Sequence, residues 1–136
     1  MSAPLLVEGY ASLFGLEDQV GDVVRAGAFA SSLSRTPSVP MLIQHKQGAI
    51  AGTWSRIIED GRGLYVRGLV TSTGAAKLVE RGLNGLSIGF RPTHWKHRRT
   101  RGRDLVRVSL VEISLVADPM QPAARFSVTG QHARAA

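Results

Sequence analysis

Two apolar segments joined by a glycine-rich turn constrain the fold of this chain more than any other feature of its sequence. Residues 49–60 read AIAGTWSRIIED and residues 63–70 read GLYVRGLV, with Gly61 and Gly63 in the turn between them. Glycine readily adopts the backbone angles of tight turns, and β-branched and aromatic residues favour strands. The two segments therefore predict a β-hairpin, the clearest one in the chain.

Shorter strand-like segments are distributed over the rest of the sequence. Residues 5–14 contain the alternating stretches of a half-buried strand, and residues 39–45 form a short apolar run that fits a buried strand. Residues 86–95 and 104–118 are strand-like and flank a basic run, which predicts a second hairpin. Residues 125–129 are expected to add an edge strand.

Two segments have helical spacing instead. Residues 27–35 place apolar side chains on one face, and Thr36 ends this helix because a residue that precedes proline is pushed out of the α region. Residues 72–83 predict a second helix, with Ser72 or Thr73 as its N-cap.

About six or seven strands and two helices, joined mostly by hairpin-like connections, predict a mainly β protein with a few helices. We expect a closed antiparallel β-barrel flanked by helices. A length of 136 residues suits one domain with a single core, which we assign to residues 1–129. The polar residues 130–136 are expected to form a short flexible tail.

Composition excludes several kinds of site. The chain contains no cysteine, which rules out disulfides, thiolate zinc sites and a cysteine nucleophile. No segment approaches the ~18 apolar residues of a membrane span, and the N-terminus lacks the features of a signal peptide. We therefore expect a soluble, intracellular protein that does not contact membranes. We predict neither a cofactor nor a metal.

A net charge of +7 favours acidic partners, and much of the excess lies in one run. The run comprises Lys96, His97, Arg98, Arg99, Arg101 and Arg103. It is explained either as the solvated tip of a hairpin or as a patch that contacts nucleic acid weakly and without sequence preference. We favour an exposed, mobile flap that helps to hold acidic partners nearby.

The most specific local motif surrounds Ser87. Residues 85–89 read GLSIG and match G-x-S-x-G, the nucleophile pattern of α/β-hydrolases. That fold requires a strand before the serine and a helix after it, and here the order is reversed. Ser87 is therefore either a small polar residue where a helix turns into a strand, or a nucleophile that needs a histidine base nearby.

Of the four histidines, His45 is the best candidate base because it ends an apolar strand and is followed by a turn. The alternative is a satisfied, half-buried histidine. Glu112 is the only acid in residues 105–117, so it either faces outward from a half-exposed strand or orients the histidine. Ser109 and Ser114, in the same strand, are interpreted as ordinary strand residues.

In combination, several blocks resemble the prohead protease family of tailed bacteriophages, which is related to the herpesvirus capsid maturation protease. The blocks lie in residues 7–128 and read EGYASLFG, GDVVRAGAF followed by SL, VPMLIQH, GRGLYVRG, GLNGLSIGF and LVEISLVADPMQPAA. Each block alone is unspecific, but their order and spacing are hard to obtain by chance.

The resemblance implies a herpesvirus-protease-like barrel and a catalytic site built from Ser87 as nucleophile, His45 as general base and Glu112 as third member. The herpesvirus relatives have a second histidine in the third place, which Glu112 takes in this chain. An oxyanion hole is expected from backbone amides in residues 118–121, where Pro119 has no N–H to contribute.

The resemblance also implies a role and partners. Such enzymes act inside the immature capsid, in the cytoplasm of the host bacterium, on scaffold or on the N-terminal segment of the major capsid protein. A phage, a prophage or a gene transfer agent is compatible with the sequence, and a homodimer is expected from the herpesvirus relatives. The alternatives are a non-catalytic basic β-barrel that binds nucleic acid or capsid protein, and an inactive relative that serves as an assembly factor.

Overall fold

The computed structural model describes residues 4–131, in which eight strands and two helices are formed. The strands are β1 (Leu5–Leu13), β2 (Val23–Val24), β3 (Met41–Ile43), β4 (Ile50–Glu59), β5 (Gly63–Val70), β6 (Gly85–His97), β7 (Arg103–Val116) and β8 (Phe126–Gln131). The helices are α1 (Ala30–Arg35) and α2 (Thr73–Glu80). The mainly β fold class is confirmed, with more strands than the six or seven predicted.

The helix ends follow from local chemistry. Ser72 caps α2, because its Oγ accepts a hydrogen bond from the Ala75 N–H that has no partner within the helix. Thr36 is the C-cap of α1, immediately before Pro37.

The long strand β7 organises the sheet. It pairs with β6 along its whole length as an antiparallel hairpin, and β4 and β5 form the other predicted hairpin. On its remaining edge, β7 pairs with β2 near its start and with β3 near its end. Both of these pairings are parallel, so the expectation of a purely antiparallel sheet is wrong. Parallel pairing is possible because a long stretch of chain, which includes β4, β5 and β6, connects each short strand to β7.

The expectation of a closed barrel is also wrong. Within residues 4–131 the outermost strands, β6 and β8, do not pair, and an isolated bridge between Gly85 and Arg125, the residue before β8, is the one connection between them. Strand β8 pairs with β1 from Leu5 to Gly9 and no further. The rest of that β1 edge receives a side chain in place of a strand, because Gln121 Oε1 accepts from Leu13 N at 2.7 Å and Gln121 Nε2 donates to Leu13 O at 3.0 Å.

The core is formed by inward-facing residues of the sheet together with Phe29 before α1. Its largest fully buried side chains include Phe29, Leu5, Met41, Leu64, Leu86, Leu105, Ile113 and Leu115. Within residues 4–131, neither helix has the length and apolar character needed to cross a membrane. Gly130 and Gln131, assigned to the tail, pair with β1 as part of β8, and residues 132–136 lie outside the described residues.

The tip of the β6–β7 hairpin is docked on the loop of residues 14–22, which we call the β1–β2 loop. Arg98 Nη1 donates to the carbonyl of Gly21, and Arg101 Nε donates to Glu17 Oε1 at 2.6 Å. Gly102 lies against Gly21 so closely that an added Cβ would be 2.1 Å from the Gly21 oxygen. The basic run is therefore not a free flap, because three of its arginines, Arg98, Arg101 and Arg103, donate hydrogen bonds to the β1–β2 loop.

Candidate active site

His45 lies just beyond β3, where the backbone turns sharply. Gln44 and His45 have φ angles of 53° and 60°, in the left-handed region that residues other than glycine seldom occupy. Gln44 N donates to Leu115 O and the His45 N–H donates to Ser114 Oγ, so both residues are fastened to β7. Strained backbone that is held by such contacts is concentrated at functional sites, because it aims a side chain that regular structure would point elsewhere.

The carboxylate of Glu112 holds the imidazole of His45. Glu112 Oε2 lies 2.5 Å from His45 Nδ1, and its Oε1 accepts a 2.7 Å hydrogen bond from Ser114 Oγ. Glu112 is only 8% exposed, so it does not face solvent as the alternative of outward alternation requires. With Nδ1 occupied by the carboxylate, Nε2 is the ring nitrogen left for other chemistry.

Gly89 makes room for this carboxylate. It pairs with Glu112 across β6 and β7, and a Cβ at position 89 would be 2.3 Å from Glu112 Oε2. The second glycine of the GLSIG motif therefore serves the acid on the neighbouring strand rather than the turn around the serine.

Ser87 lies on β6 directly opposite Ser114 of β7. Residues paired in this way point to the same face of a sheet, and Glu112, two residues before Ser114, shares that face. Three neighbouring strands thus bring Ser87, the Glu112–Ser114 pair and His45 together in a row. Ser87 is 6% exposed, and no hydrogen bond joins its hydroxyl to His45 or to any other side chain in the part of the chain that is described.

Ser87 and His45 line the same cavity, which has a volume of about 220 Å³. The cavity occupies the gap between β6 and the part of β1 that β8 leaves uncovered. Its walls include Ala11, Ser12, Asp18, Val20, Asp22, Val24, Leu86, Ile88, Phe90, Arg103, Met120 and Gln121.

Two aspartates of the β1–β2 loop face this cavity in different electrostatic states. Burial raises the pKa of Asp18. Burial acts in the same direction on Asp22, yet the hydrogen bonds and charge of Arg103 together hold the pKa of Asp22 below its ordinary value. The Asp22–Arg103 ion pair has an Oδ2–Nη2 distance of 2.7 Å.

The structure adds site residues that the sequence did not indicate. Ser114, interpreted as an ordinary strand residue, bridges Glu112 and the backbone of His45. The sequence could have indicated this role, because Ser114 lies two residues after Glu112 and residues at that spacing lie on one face of a strand. Nothing in the sequence near Ser12 or Asp18 indicates a place in the site. Ser12 reaches the cavity through the pairing of β1 with β5, and Asp18 through the contact of its loop with the hairpin tip.

The arrangement suits nucleophilic chemistry by a serine. An acid, a histidine and a serine occur in series beside a cavity, which is the set of groups that activates a hydroxyl. Among residues 4–131, no group of three or more histidine and acidic side chains is placed to hold a metal ion.

Comparison with known proteins gives the same picture. A family model described as "Caudovirus prohead serine protease" matches residues 2–135. The prohead protease of Enterobacteria phage HK97 is 41% identical over 93 residues, which covers 62% of this chain and 41% of that protein.

Two solved herpesvirus structures are similar in fold. The first is the KSHV protease in complex with a hexapeptide phosphonate inhibitor, with a TM-score of 0.55, 14% identity and coverage of 91% of this chain and 64% of that chain. The second is the varicella-zoster virus protease, with a TM-score of 0.51, 21% identity and coverage of 79% and 58%. This chain spans less than two thirds of the length of each of these three relatives.

Proposed function

The chain belongs to the family of caudovirus prohead serine proteases, and from this premise we propose that it is a serine endopeptidase of capsid maturation. We assign Ser87 as the nucleophile, His45 as the general base and Glu112 as the residue that orients the base.

One observation carries the assignment: the Glu112 carboxylate lies 2.5 Å from His45 Nδ1, at the edge of the cavity that contains Ser87. A carboxylate in this position fixes the tautomer with a proton on Nδ1 and stabilises the imidazolium that forms during reaction. The basic Nε2 is then free to accept a proton from the serine hydroxyl.

The reaction follows from these roles. As Ser87 Oγ attacks the scissile carbonyl carbon, its proton passes to His45 Nε2, and the carbonyl oxygen takes the negative charge. His45 then gives that proton to the leaving amine as the C–N bond breaks, which leaves an acyl group on Ser87. Water, deprotonated by His45, attacks the acyl carbon, and the proton returns to Ser87 as the ester bond breaks.

We place the oxyanion-binding amides in residues 118–121, in the loop that follows β7. Met120 and Gln121 line the cavity, and Pro119 has no N–H to donate. The two hydrogen bonds between the Gln121 side chain and the Leu13 backbone anchor this loop to β1. An anchored loop presents its donors without reorganisation at the moment of reaction.

The substrate that we propose is the N-terminal segment of the major capsid protein or a scaffold protein. Cleavage would take place inside the immature capsid, in the cytoplasm of the bacterial host. We propose a homodimer as the active state, by analogy with the herpesvirus relatives, and only a weak, non-specific contact with nucleic acid through residues 96–103.

A serine-reactive fluorophosphonate tests the chemistry directly. We expect one adduct per chain by intact mass, located on Ser87. Ser87→Ala should abolish labelling, and His45→Ala should slow it by roughly three orders of magnitude or more because the base is lost. Ser109→Ala is the matched control, since Ser109 lies on β7 outside the cavity and its replacement should leave the labelling rate unchanged.

Co-expression with the major capsid protein tests the biological role. An N-terminal truncation of the capsid protein should appear with the wild-type chain and disappear with Ser87→Ala. A folded protein that is never labelled and leaves the capsid protein intact would instead be an assembly factor. Binding to DNA that weakens steeply with salt would identify a nucleic-acid-binding barrel.

A further inference from the structure

The cavity beside Ser87 contains a polar group that the proposed chemistry does not use. Ser12 is 2% exposed and lines the cavity, and its Oγ is buried without a hydrogen-bond partner in the described residues. An unsatisfied buried hydroxyl costs about 1–3 kcal/mol, so such groups are rare in native proteins. The orphan hydroxyl therefore points to a ligand that completes its hydrogen bonding.

Asp18 offers a second unused acceptor on the wall of the same cavity. Its Oδ1 accepts hydrogen bonds from the backbone N–H groups of Val20 and Asp22, both at 2.9 Å. No side chain of the described residues donates a hydrogen bond to the Asp18 carboxylate. Burial raises the pKa of Asp18, because the loss of hydration of its charged form outweighs the loop hydrogen bonds and the nearby charge of Arg103.

Among the charged residues that line the cavity, the negative charge of Asp18 is not balanced by a positive one of its own. Asp22 is paired with Arg103, whose Nε and Nη2 both donate to it. Glu112 is paired with His45 and does not itself line the cavity. Asp18, Asp22 and Arg103 together carry one net negative charge. Although the whole chain has a charge of +7, this cavity is suited to a single cation.

The remaining walls are apolar. Val20 is 56% exposed and Met120 is 42% exposed, yet both line the cavity, together with the more buried Phe90 and Val24. Exposed apolar side chains around one acidic group fit a long aliphatic stem that carries a positive charge at its end. A lysine side chain has this shape, and its ammonium can donate three hydrogen bonds.

We propose that this cavity is a specificity subsite for a lysine side chain, recognised by Asp18 and Ser12, on the residue that supplies the scissile carbonyl. The inference rests on the proposed acyl-enzyme chemistry. In the acyl-enzyme that residue is bonded to Ser87 Oγ, so its side chain begins within a few bonds of the cavity. Asp18 and Ser12 are specificity residues here and take no part in proton transfer.

The wall that contains Asp18 is held in place before substrate arrives. Gln19 N donates to Met120 O, and Gln19 Nε2 donates to Pro119 O, which ties the β1–β2 loop to the loop after β7. On its other side, the β1–β2 loop is fastened to the hairpin tip by Arg98 and Arg101. A preorganised acceptor raises affinity because binding does not have to order it.

Two phosphonate diphenyl esters that differ only in the side chain next to phosphorus test the subsite. One carries the lysine side chain and the other the norleucine side chain, which has the same stem without the ammonium. The wild-type chain should be labelled at Ser87 about tenfold or more faster by the lysine reagent, as expected for a charge-assisted hydrogen bond. Asp18→Asn should bring this ratio close to one.

Asp18→Asn removes the charge without removing the loop contacts, because its amide oxygen can still accept the hydrogen bonds from the backbone N–H groups of Val20 and Asp22. Ser12→Ala should lower the ratio by a smaller factor, and it breaks no hydrogen bond in the described structure. Asp104→Asn is the matched control: it removes one negative charge from a residue that pairs with Arg25 outside the cavity, and the ratio should not change.

The possible failures are distinguishable. Equal labelling by the two reagents, or a lysine preference that survives Asp18→Asn, overturns the subsite while leaving the serine chemistry intact. If neither these reagents nor the fluorophosphonate label Ser87, the proposed activity is wrong, and the subsite is then judged by binding alone. In that case capped lysine amide must perturb the NMR signals of the β1–β2 loop more than capped norleucine amide, and equal perturbation overturns the subsite as well.

Discussion

Gly89 is the residue at which the smallest chemical change should disturb the candidate site most. Gly89→Ala places a methyl group 2.3 Å from the present position of Glu112 Oε2, so the carboxylate must move away from His45. We expect the fluorophosphonate labelling rate to fall by about 10²-fold or more, as when the orienter of a catalytic histidine is disturbed. Glu112→Gln should produce a similar loss.

The matched control at this scale is Gly61→Ala. Gly61 lies in the β4–β5 turn without a positive φ, and an added Cβ meets no atom within 4 Å. It should change neither the labelling rate nor the melting temperature appreciably. A Gly89→Ala protein with the melting temperature and labelling rate of the wild type would contradict our account of Gly89.

Individual site residues differ in how far the sequence could reveal them. Ser87, His45 and Glu112 each stood out locally, in a glycine-flanked motif, at a strand end and as a lone acid in an apolar strand. The contact between His45 and Glu112 joins residues 67 positions apart and depends on the parallel pairing of β3 with β7. Local sequence patterns identify such residues as candidates, but long-range strand pairing determines which of them are in contact.

At the scale of elements, the docked hairpin changes the expected effect of its arginines. Arg98 and Arg101 hold the β1–β2 loop, and the hydrogen bond from Arg101 lowers the pKa of Glu17. Because that loop forms one wall of the cavity, replacing both arginines by serine should slow labelling of Ser87 by the lysine phosphonate several-fold. A free flap would affect only the association with a charged protein substrate.

Arg99→Ser provides the control for the hairpin. Arg99 is exposed and forms no ion pair with the described residues. Arg99→Ser removes one positive charge from the same tip, where the double variant removes two. Its replacement should leave labelling by both phosphonates unchanged. If the Arg98 and Arg101 double variant behaves in the same way as Arg99→Ser, the hairpin tip does not shape the cavity.

The elements also divide into those that local sequence predicts and those that it does not. The hairpin of β4 and β5, the capped helix α2 and the long strands β6 and β7 follow from turn residues, caps and apolar runs. Strand β2 has two residues, and no periodicity can indicate a strand so short. Its pairing with Asp104 and Leu105 arises from the chain's return to β7 after about 80 residues.

At the scale of the whole molecule, the sheet stays open beside the candidate site. A ninth backbone segment beside residues 10–13 of β1 would fill the gap in which the cavity lies. There, the side chain of Gln121 forms the hydrogen bonds to the backbone N–H and C=O of Leu13 that a neighbouring strand would otherwise form. The predicted closed barrel was wrong because the number of strands in a sequence does not show that a side chain, here that of Gln121, can take the place of a neighbouring strand.

Global stability should depend on acid through Asp22, which links β2 and the β1–β2 loop to β7. Asp22 is 4% exposed, and Arg103 holds its pKa below the ordinary value of 3.8. A carboxyl whose pKa is lower in the folded than in the unfolded chain stabilises the fold above the unfolded pKa, and this contribution is lost as pH falls through the folded pKa. The free energy of unfolding, measured by urea denaturation, should therefore decrease from about pH 5 downward.

Asp22→Asn should lower the free energy of unfolding by about 1–2 kcal/mol near pH 7, a moderate value because Arg103 is one-third exposed. The difference from wild type should shrink as pH falls below 4. Asp104→Asn, whose partner Arg25 is about half exposed, should change stability little at any pH. A difference between wild type and Asp22→Asn that stays constant from pH 7 to pH 3 would show that the pair stabilises the fold without its charge.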